Sequence, residues 1–558
     1  MSINSFKLFF AVLVITTLMA NSLLAQVIRV SSKIVAEETG EPIPFASIQV
    51  LNTYGGTSAN SLGDFSMLVN EDDSLQVSCL GFSTLIIAVQ DVTAEIFMKT
   101  DTKILDNIVI KAREIDPKAI VKRAFRAIKK NFISEPVTMN TFYRHYCKDD
   151  SIYGRIIEAA VDVYKKKGYR KPKAMESKKD HFKLVQSRRS FDHSFLKKNH
   201  ISIAFAELIN TDVAAYQYSK KNPYPFLMIN ASGKYLKSNL DNYRFELDRI
   251  TSINGKEVYV ISYRSKKRKR ADFLELANFK MKHDGKFFIS DKDYAFVKVE
   301  SELTSGLRNV KDEIFYKESR GKHYLSHIIH DSYARNVRKA DTTVHHAHVE
   351  LLVNNITIGK NNDFKHQPIT EEVLSKNRYD SMFWKNYTVL SENPLEKSIK
   401  SQLESEQKLE EQFKQKSKAD LFNLEQLAKN HSTLENILEN NRDTVVYIDF
   451  WASWCKPCIA EFKKSEKIID ELDEKIRFLY VSIDRDIDQW EKAKIKYGLT
   501  KQEHLRISND SKIARDYNLN AIPRYMMVYP DGRLLKNAPR PSTKRFRDLV
   551  KPLITQPN

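Results

Sequence analysis

Cys455 and Cys458 are the residues of this 558-residue sequence whose type and spacing most directly imply chemistry. They stand in DTVVYIDFWASWCKPCIAEF, where an apolar run, Val445 to Phe450, leads into the pair and an amphipathic helical pattern follows it. A strand would fix the loop in space. The helix N-terminus would then offer free backbone N–H groups and the positive end of its dipole to the sulfur of Cys455. The thiolate is the nucleophile in disulfide exchange, so stabilising it activates the residue. Lys456 adds a nearby positive charge, and Pro457 fits the first helical turn without losing a hydrogen bond. Cys458 sits where it can attack a mixed disulfide on Cys455 and release the partner.

Other uses of a Cys-x-x-Cys need more than this segment holds. A zinc site wants two further ligands, and no second cysteine pair or Cys/His pair is nearby. Haem attachment wants His directly after the second cysteine, where Ile459 stands. A structural staple is the plainer alternative, although it has no use for the strand–helix order or for Trp451 and Trp454. Asp449, just ahead of Phe450 in the apolar strand, should be poorly hydrated, so its pKa should rise and it could exchange protons near neutral pH. Pro523 falls where an apolar strand begins, a position ordinary strands disfavour, and a cis peptide is expected there. Glu461 reads either as an active-site acid or as a surface helix acid.

With its flanks, WASWCKPC resembles the thioredoxin superfamily and, within it, the exported TlpA/ResA-type reductases, over about residues 430–558. The resemblance implies that Asp449 relays a proton to and from the resolving Cys458. It implies that Pro523, in NAIPRYMMVYPDG, is the cis-proline beside the site, with the backbone of Ile522 pairing with bound peptide. Glu461 matches the active-site glutamate of the exported subgroup, and Trp454 is expected on the substrate side. No cofactor is expected beyond the redox-active Cys455–Cys458 disulfide, and no metal ligand is assigned. The Lys456-Pro457 dipeptide departs from the pairs other members carry, so a redox potential does not carry over. A peroxiredoxin-type site would want Thr three residues before the reactive cysteine, where Ala452 stands. Expected partners are exported protein thiols or disulfides and an upstream electron donor.

The elements needed to position the site are legible around it. IRFLYVSI reads as a second buried strand and DIDQWEKAKIKYG as a helix closed by Gly498. RYMMVY and RLLK read as a hairpin around Asp531-Gly532, and STKRFRDLVKPLI as a closing helix. Strand–helix–strand–helix–hairpin–helix is an α/β thioredoxin order.

Upstream, residues 8–25 form an apolar run after Lys7, ending in Ala25, and read as a secretory signal peptide that leaves a soluble exported protein in the periplasm or cell envelope. The net charge is +19, yet an exported chain has no use for Lys266-Lys267-Arg268-Lys269-Arg270 as a nuclear address. From Lys165 to Lys198 thirteen Lys/Arg face three acids. No nucleic-acid motif accompanies them, so a solvated basic loop, or contact with anionic envelope surface, is the favoured reading.

Four folded regions are expected. Residues 26–111 alternate apolar and polar between turns at Gly55-Gly56 and Gly63-Asp64, as about seven strands of a β-sandwich. The stretch TGEPIPFASIQVLNTYGGTSANSLGDFSM with DSLQVSCLGF resembles the carboxypeptidase-regulatory-like β-domain, which implies a folding or docking module. Residues 112–390 form an α+β region. A helix starts at Asp116-Pro117 with Ile120, Val121, Ala124, Phe125 and Ile128 on one face, a second helical stretch is expected around Arg155–Lys166, and a large curved antiparallel sheet occupies 242–354, with hairpins at Asn254-Gly255 and Asp284-Gly285. Residues 391–419 read as a helical linker, and 420–558 as the thioredoxin-like domain.

Cys79 and Cys147 read as packing residues, with a bridge between them left open. In VHHAHVELLV, the apolar Ala347, Val349, Leu351 and Val353 share one strand face, leaving His346, His348 and Glu350 on the other; three metal-capable side chains in a row suggest a cation, but a solvated polar face is the commoner outcome and the one expected.

Overall fold

The computed structural model describes residues 26–101, 115–170, 180–192, 205–215, 240, 243–266, 282–304, 308–335, 343–392, 394–442, 444–509, 511–519 and 521–555. The expected signal peptide and Lys267–Arg270 lie outside them. The chain divides into two compact units, one up to Ser417 and one from Lys418. Among the described residues no helix is long and apolar enough to cross a membrane.

The first unit opens with β1 (Val27–Ala36), β2 (Ser47–Val50), β3 (Gly56–Ser58), β4 (Asp64–Asn70), β5 (Ser74–Ser78), β6 (Leu85–Ala88) and β7 (Glu95–Met98). They form the expected sandwich, one sheet ordered β4-β1-β7 and the other β3-β2-β5-β6. Alternation sets the core: on β4 Phe65, Met67 and Val69 point inward between half-exposed neighbours.

The helix α1 (Pro117–Asn131) is capped by the Asp116 carboxylate, which accepts the Ala119 N–H at 3.1 Å. Its apolar stripe covers one face of a ten-stranded antiparallel sheet, with Phe125 edge-on to Phe287 and Phe296 at 6.0 and 5.0 Å. The strands are β8 (Val137–Asp149), β9 (Ile152–Lys165), β10 (His181–Arg189), β11 (Tyr243–Ile253), β12 (Lys256–Ser265), β13 (Lys282–Ser290), β14 (Phe296–Thr304), β15 (Arg308–Ser319), β16 (Lys322–Arg335) and β17 (Val344–Ile358). Their order, β10-β9-β8-β17-β16-β15-β14-β13-β12-β11, places the first and last strands side by side near one end. The short helix α2 (Phe205–Asn210) lies between β10 and β11, and α3 (Glu371–Ser375), α4 (Ser381–Lys385) and α5 (Pro394–Leu403) follow β17.

Several expectations are corrected here. The Arg155–Lys166 stretch is not a helix but strand β9: RIIEAAVDVYK is β-branched and buried on both faces, a pattern that matches either period. Asn254-Gly255 does turn a hairpin, at φ 49° and 68°, but Asp284-Gly285 lies inside β13. A side chain at position 285 would meet the Glu300 carbonyl at 2.1 Å and the Tyr263 ring at 2.6 Å, so this glycine serves close packing. The basic stretch is not one solvated loop. Lys165 is fully buried between Asp180 at 2.7 Å and Asp212 at 3.5 Å, while Arg188 and Arg189 pair with Glu158 and Glu371. Cys79 and Cys147 are unpaired, and burial pushes each thiol up to about 11.

The stretch expected to be linker begins as part of the first unit. Glu396 of α5 is buried on Arg144 at 2.9 Å, Ile399 packs with Tyr146 and Tyr153, and Gln402 accepts the Tyr153 N–H at 2.9 Å. Glu, Gln and Lys suggested solvent, but these polar ends satisfy groups of the sheet.

The sandwich also packs on the large sheet. Lys317 of β15, fully buried, donates to the carbonyls of Thr57 at 2.7 Å and Ile48 at 3.4 Å, and burial lowers its pKa to about 7.

Candidate active site

The second unit holds most of α6 (Leu409–Asn440), then β18 (Val445–Trp451), α7 (Lys456–Leu472), β19 (Ile476–Ser482), α8 (Ile487–Lys496), β20 (Glu503–Arg506), α9 (Lys512–Asp516), β21 (Arg524–Val528), β22 (Leu534–Leu535) and α10 (Lys544–Thr555). The sheet order is β20-β19-β18-β21-β22, with β19 parallel and β21 antiparallel to the central β18. All seven residues of β18 are buried, so the loop it feeds starts from the most rigid point of the unit.

That loop ends at Cys455, the N-cap of α7, with Pro457 in the first turn. Cys455 and Cys458 form a disulfide with Cα atoms 5.3 Å apart. The Cys458 N–H points at the Cys455 sulfur at 3.2 Å, a free helix N-terminal donor that only this sulfur receives. Exposure does not separate the two cysteines, since both are buried. Trp454 beside them is 63% exposed, and Lys456 and Pro457 are exposed as well.

Asp449 lies on β18, the strand that leads to the pair, in register with Tyr480 and Tyr525. It is 5% exposed and its Oδ1 has no hydrogen-bond partner among the described residues. Burial, and then the charge of Glu461, hold its carboxyl well above the usual range. Glu461 is buried too, accepting the Ser542 N–H at 3.0 Å, which removes the surface-acid alternative. The phenols of Tyr447, Tyr480 and Tyr525 are raised by burial and then by Asp449. The arrangement is a buried carboxyl that resists ionisation.

The Ile522–Pro523 peptide is cis and leads straight into β21, whose Arg524 pairs with Phe450 at the end of β18. Ile522 and Pro523 are half-buried.

Sequence reasoning missed what pins the loop. The Asp484 carboxylate accepts the Ser453 N–H at 2.8 Å, the Ser453 hydroxyl at 2.7 Å and the Ser482 hydroxyl at 2.8 Å. Arg506 donates to the Asp484 carbonyl at 3.1 Å. The available signal was the Ser482-x-Asp484 spacing at the C-terminal end of a strand parallel to β18, where such ends converge.

Comparison with known proteins agrees with this geometry. A thioredoxin-like family model matches residues 443–534, and a CarboxypepD_reg-like domain model matches residues 30–110. Thioredoxin C-2 of Corynebacterium nephridii is 29% identical over 82 residues, 15% of this chain and 71% of that protein. The TonB-dependent receptor SusC of Bacteroides thetaiotaomicron is 29% identical over 130 residues, so this chain matches 23% of its own length against 12% of the receptor's. Among solved structures, a thiol-disulfide oxidoreductase from Bacteroides fragilis matches at 24% identity, TM-score 0.18, covering 20% of this chain and 82% of that one. The thioredoxin domain of one from Bacteroides vulgatus matches at 20% identity, TM-score 0.19, covering 20% and 81%. The C-terminal domain of this chain is thioredoxin-like and its N-terminal domain CarboxypepD_reg-like.

Proposed function

We propose that the chain is an exported thiol-disulfide oxidoreductase of the TlpA type, reducing disulfides of protein substrates in the periplasm or cell envelope. The observation that carries this reading is the Cys455 sulfur at the N-cap of α7, receiving the Cys458 N–H at 3.2 Å, with a buried Asp449 on the strand that leads to it, without a partner for Oδ1 among the described residues. In the reduced protein the Cys455 thiolate attacks one substrate sulfur. The substrate disulfide breaks, its second sulfur leaves as a thiolate that takes up a proton, and a mixed disulfide forms. Cys458 then loses its proton to the ionised fraction of Asp449 and attacks the Cys455 sulfur, and the second substrate sulfur leaves as a thiolate that takes up a proton. Two electrons have passed to the substrate, so an upstream dithiol donor must reduce Cys455–Cys458 again.

Trp454 and the Ile522–Pro523 edge supply the surface a peptide would meet. Export rests on the 8–25 apolar run, and the CarboxypepD_reg-like domain offers contact surface for the envelope. A different reading of the sequence, an envelope carrier that binds a lipid or partner and has an accessory thioredoxin domain, calls for a deep apolar cavity in the large sheet; α1 packs its apolar stripe on one face of that sheet.

Trapping tests the proposal. Cys458→Ser in the full chain should accumulate mixed disulfides on Cys455, and Cys455→Ser should accumulate few. Equal trapping would overturn the assignment. Equilibration against dithiols of known potential tests direction: a value near about −270 mV fits a reductase, and one near about −120 mV an oxidant.

A further inference from the structure

The face of β17 that carries His346, His348 and Glu350 is not solvated, as the sequence led one to expect, but built. Strand register sets Asp331 of β16 directly opposite His348. The Asp331 Oδ1 lies 2.7 Å from His346 Nε2 and 2.9 Å from His348 Nδ1, and all three donor atoms fall within 4.8 Å of one another. The second ring nitrogen of His348 is held by Glu350 Oε1 at 3.2 Å. Each imidazole is fixed in plane by a phenol, His346 against Tyr333 at 4.2 Å and His348 against Tyr146 at 4.6 Å. Side-chain exposure is 10% for His346, 11% for His348 and 25% for Asp331, so the group is desolvated yet open on the aspartate side.

We propose that His346, His348 and Asp331 form a binding site for one borderline divalent cation of the zinc type, with Glu350 orienting His348 from behind. Two imidazoles and a carboxylate are the donor set such ions prefer, leaving further positions to water or a ligand. A metal-bound histidine that passes its other N–H to a carboxylate is the usual supporting arrangement, and it fixes which nitrogen faces the ion. The cation takes the place of the proton now shared between His348 Nδ1 and Asp331. Tetrahedral zinc needs donor atoms roughly 3.3 Å apart, so each Asp331 contact has to open by about 0.5 Å, with the two ring nitrogens already within 4.8 Å of each other.

A second cluster shows what a site already served by a side-chain cation looks like. Asp293, Glu318 and His323 also converge, but the Lys256 ammonium lies 2.6 Å from Glu318 and 3.8 Å from Asp293. Among the described residues Asp331 pairs with the two imidazoles and with no lysine or arginine.

The test uses the full chain stripped of metal by chelator, with Cys455–Cys458 oxidised so that those sulfurs cannot compete. Calorimetric titration with zinc should show one equivalent bound. Cobalt should give visible bands without sulfur-to-cobalt charge transfer. Glu350→Gln should weaken zinc about 10–100-fold, and the His346→Ala/His348→Ala double variant should lose the site. Glu350→Gln, which leaves all three ligands in place, keeps the test decisive where the double variant fails to fold. Wild-type binding weaker than about 1 mM, a sulfur band with cobalt, or unchanged affinity in a folded double variant would each overturn the proposal.

Discussion

Asp449 and Glu158 are both buried acids on central strands, one in each unit, yet their surroundings are opposite. Glu158 is clasped by Arg144 at 2.7 Å and by Arg188, and Arg144 reaches on to Glu396 at 2.9 Å and to the Leu390 carbonyl at 3.1 Å. Burial alone would raise the Glu158 pKa, but Arg188 and Arg144 outweigh it and hold the group at about 2. Asp449 has no cation beside it; burial and Glu461 push it upward, and one oxygen is left without a partner among the described residues. A satisfied buried charge specifies a structure. A buried acid left without a partner costs stability, and its place on the strand that leads to a Cys-x-x-Cys is what the proposed proton exchange would use.

The contrast is sharpened most by removing the nucleophile. Cys455→Ser should reduce disulfide-reductase turnover of the full chain to background while leaving thermal unfolding of the first unit unchanged; retained turnover would place the chemistry elsewhere. Arg144→Met comes next, because it strands Glu158 and Glu396 in the interior, and should destabilise the first unit by about 3–5 kcal/mol in urea. If activity per folded molecule fell with it, the division between structural and chemical acids would fail. Asp449→Asn should slow resolution of the mixed disulfide about 10²-fold, read by rapid quench, without loss of stability.

The two acids also predict opposite pH slopes. Glu158 has its pKa lowered from 4.5 to about 2, so its contribution is present above pH 4.5 and is lost as pH falls towards 2. Asp449 has its pKa raised, so the folded state keeps a proton that the unfolded state releases from about pH 4 upward, and stability of the second unit falls as pH rises through that range. Chemical denaturation of wild type, Glu158→Gln and Asp449→Asn at several pH values should flatten one slope in each variant. The smallest effect expected is that of Ser453→Ala, which removes one hydrogen bond to Asp484 and should cost about 1 kcal/mol.

The thioredoxin-like unit was legible because its signals are local: a strand, a helix start and two cysteines within twenty residues, with Gly498 and Asp531-Gly532 where turns were needed. The sandwich was legible through clean alternation. The central region was not, for a physical reason. Strand β9 is buried on both faces, so the alternation that marks a strand is lost, and Gly285 is demanded by Tyr263 on a neighbouring strand. The burial of His346, His348 and Glu396 depends on partners supplied by distant segments, and single-sequence periodicity carries no record of them. At the active site the cysteines could be read directly, whereas Asp484 acts through Ser453, thirty-one positions away.

The order of strands in the large sheet has a consequence for how the chain is made. β8 pairs on one side with β9, its neighbour in sequence, but on the other with β17, so that Tyr143 meets Leu351. At roughly 5–20 residues per second, on the order of 10–40 s separates synthesis of the two partners. A β8–β9 hairpin that forms before β17 arrives presents an unpaired edge on β8, which β17 covers in the finished sheet. A long open edge is a template for wrong pairing. Holding that edge apart is therefore the step at which a chaperone would matter most for this protein.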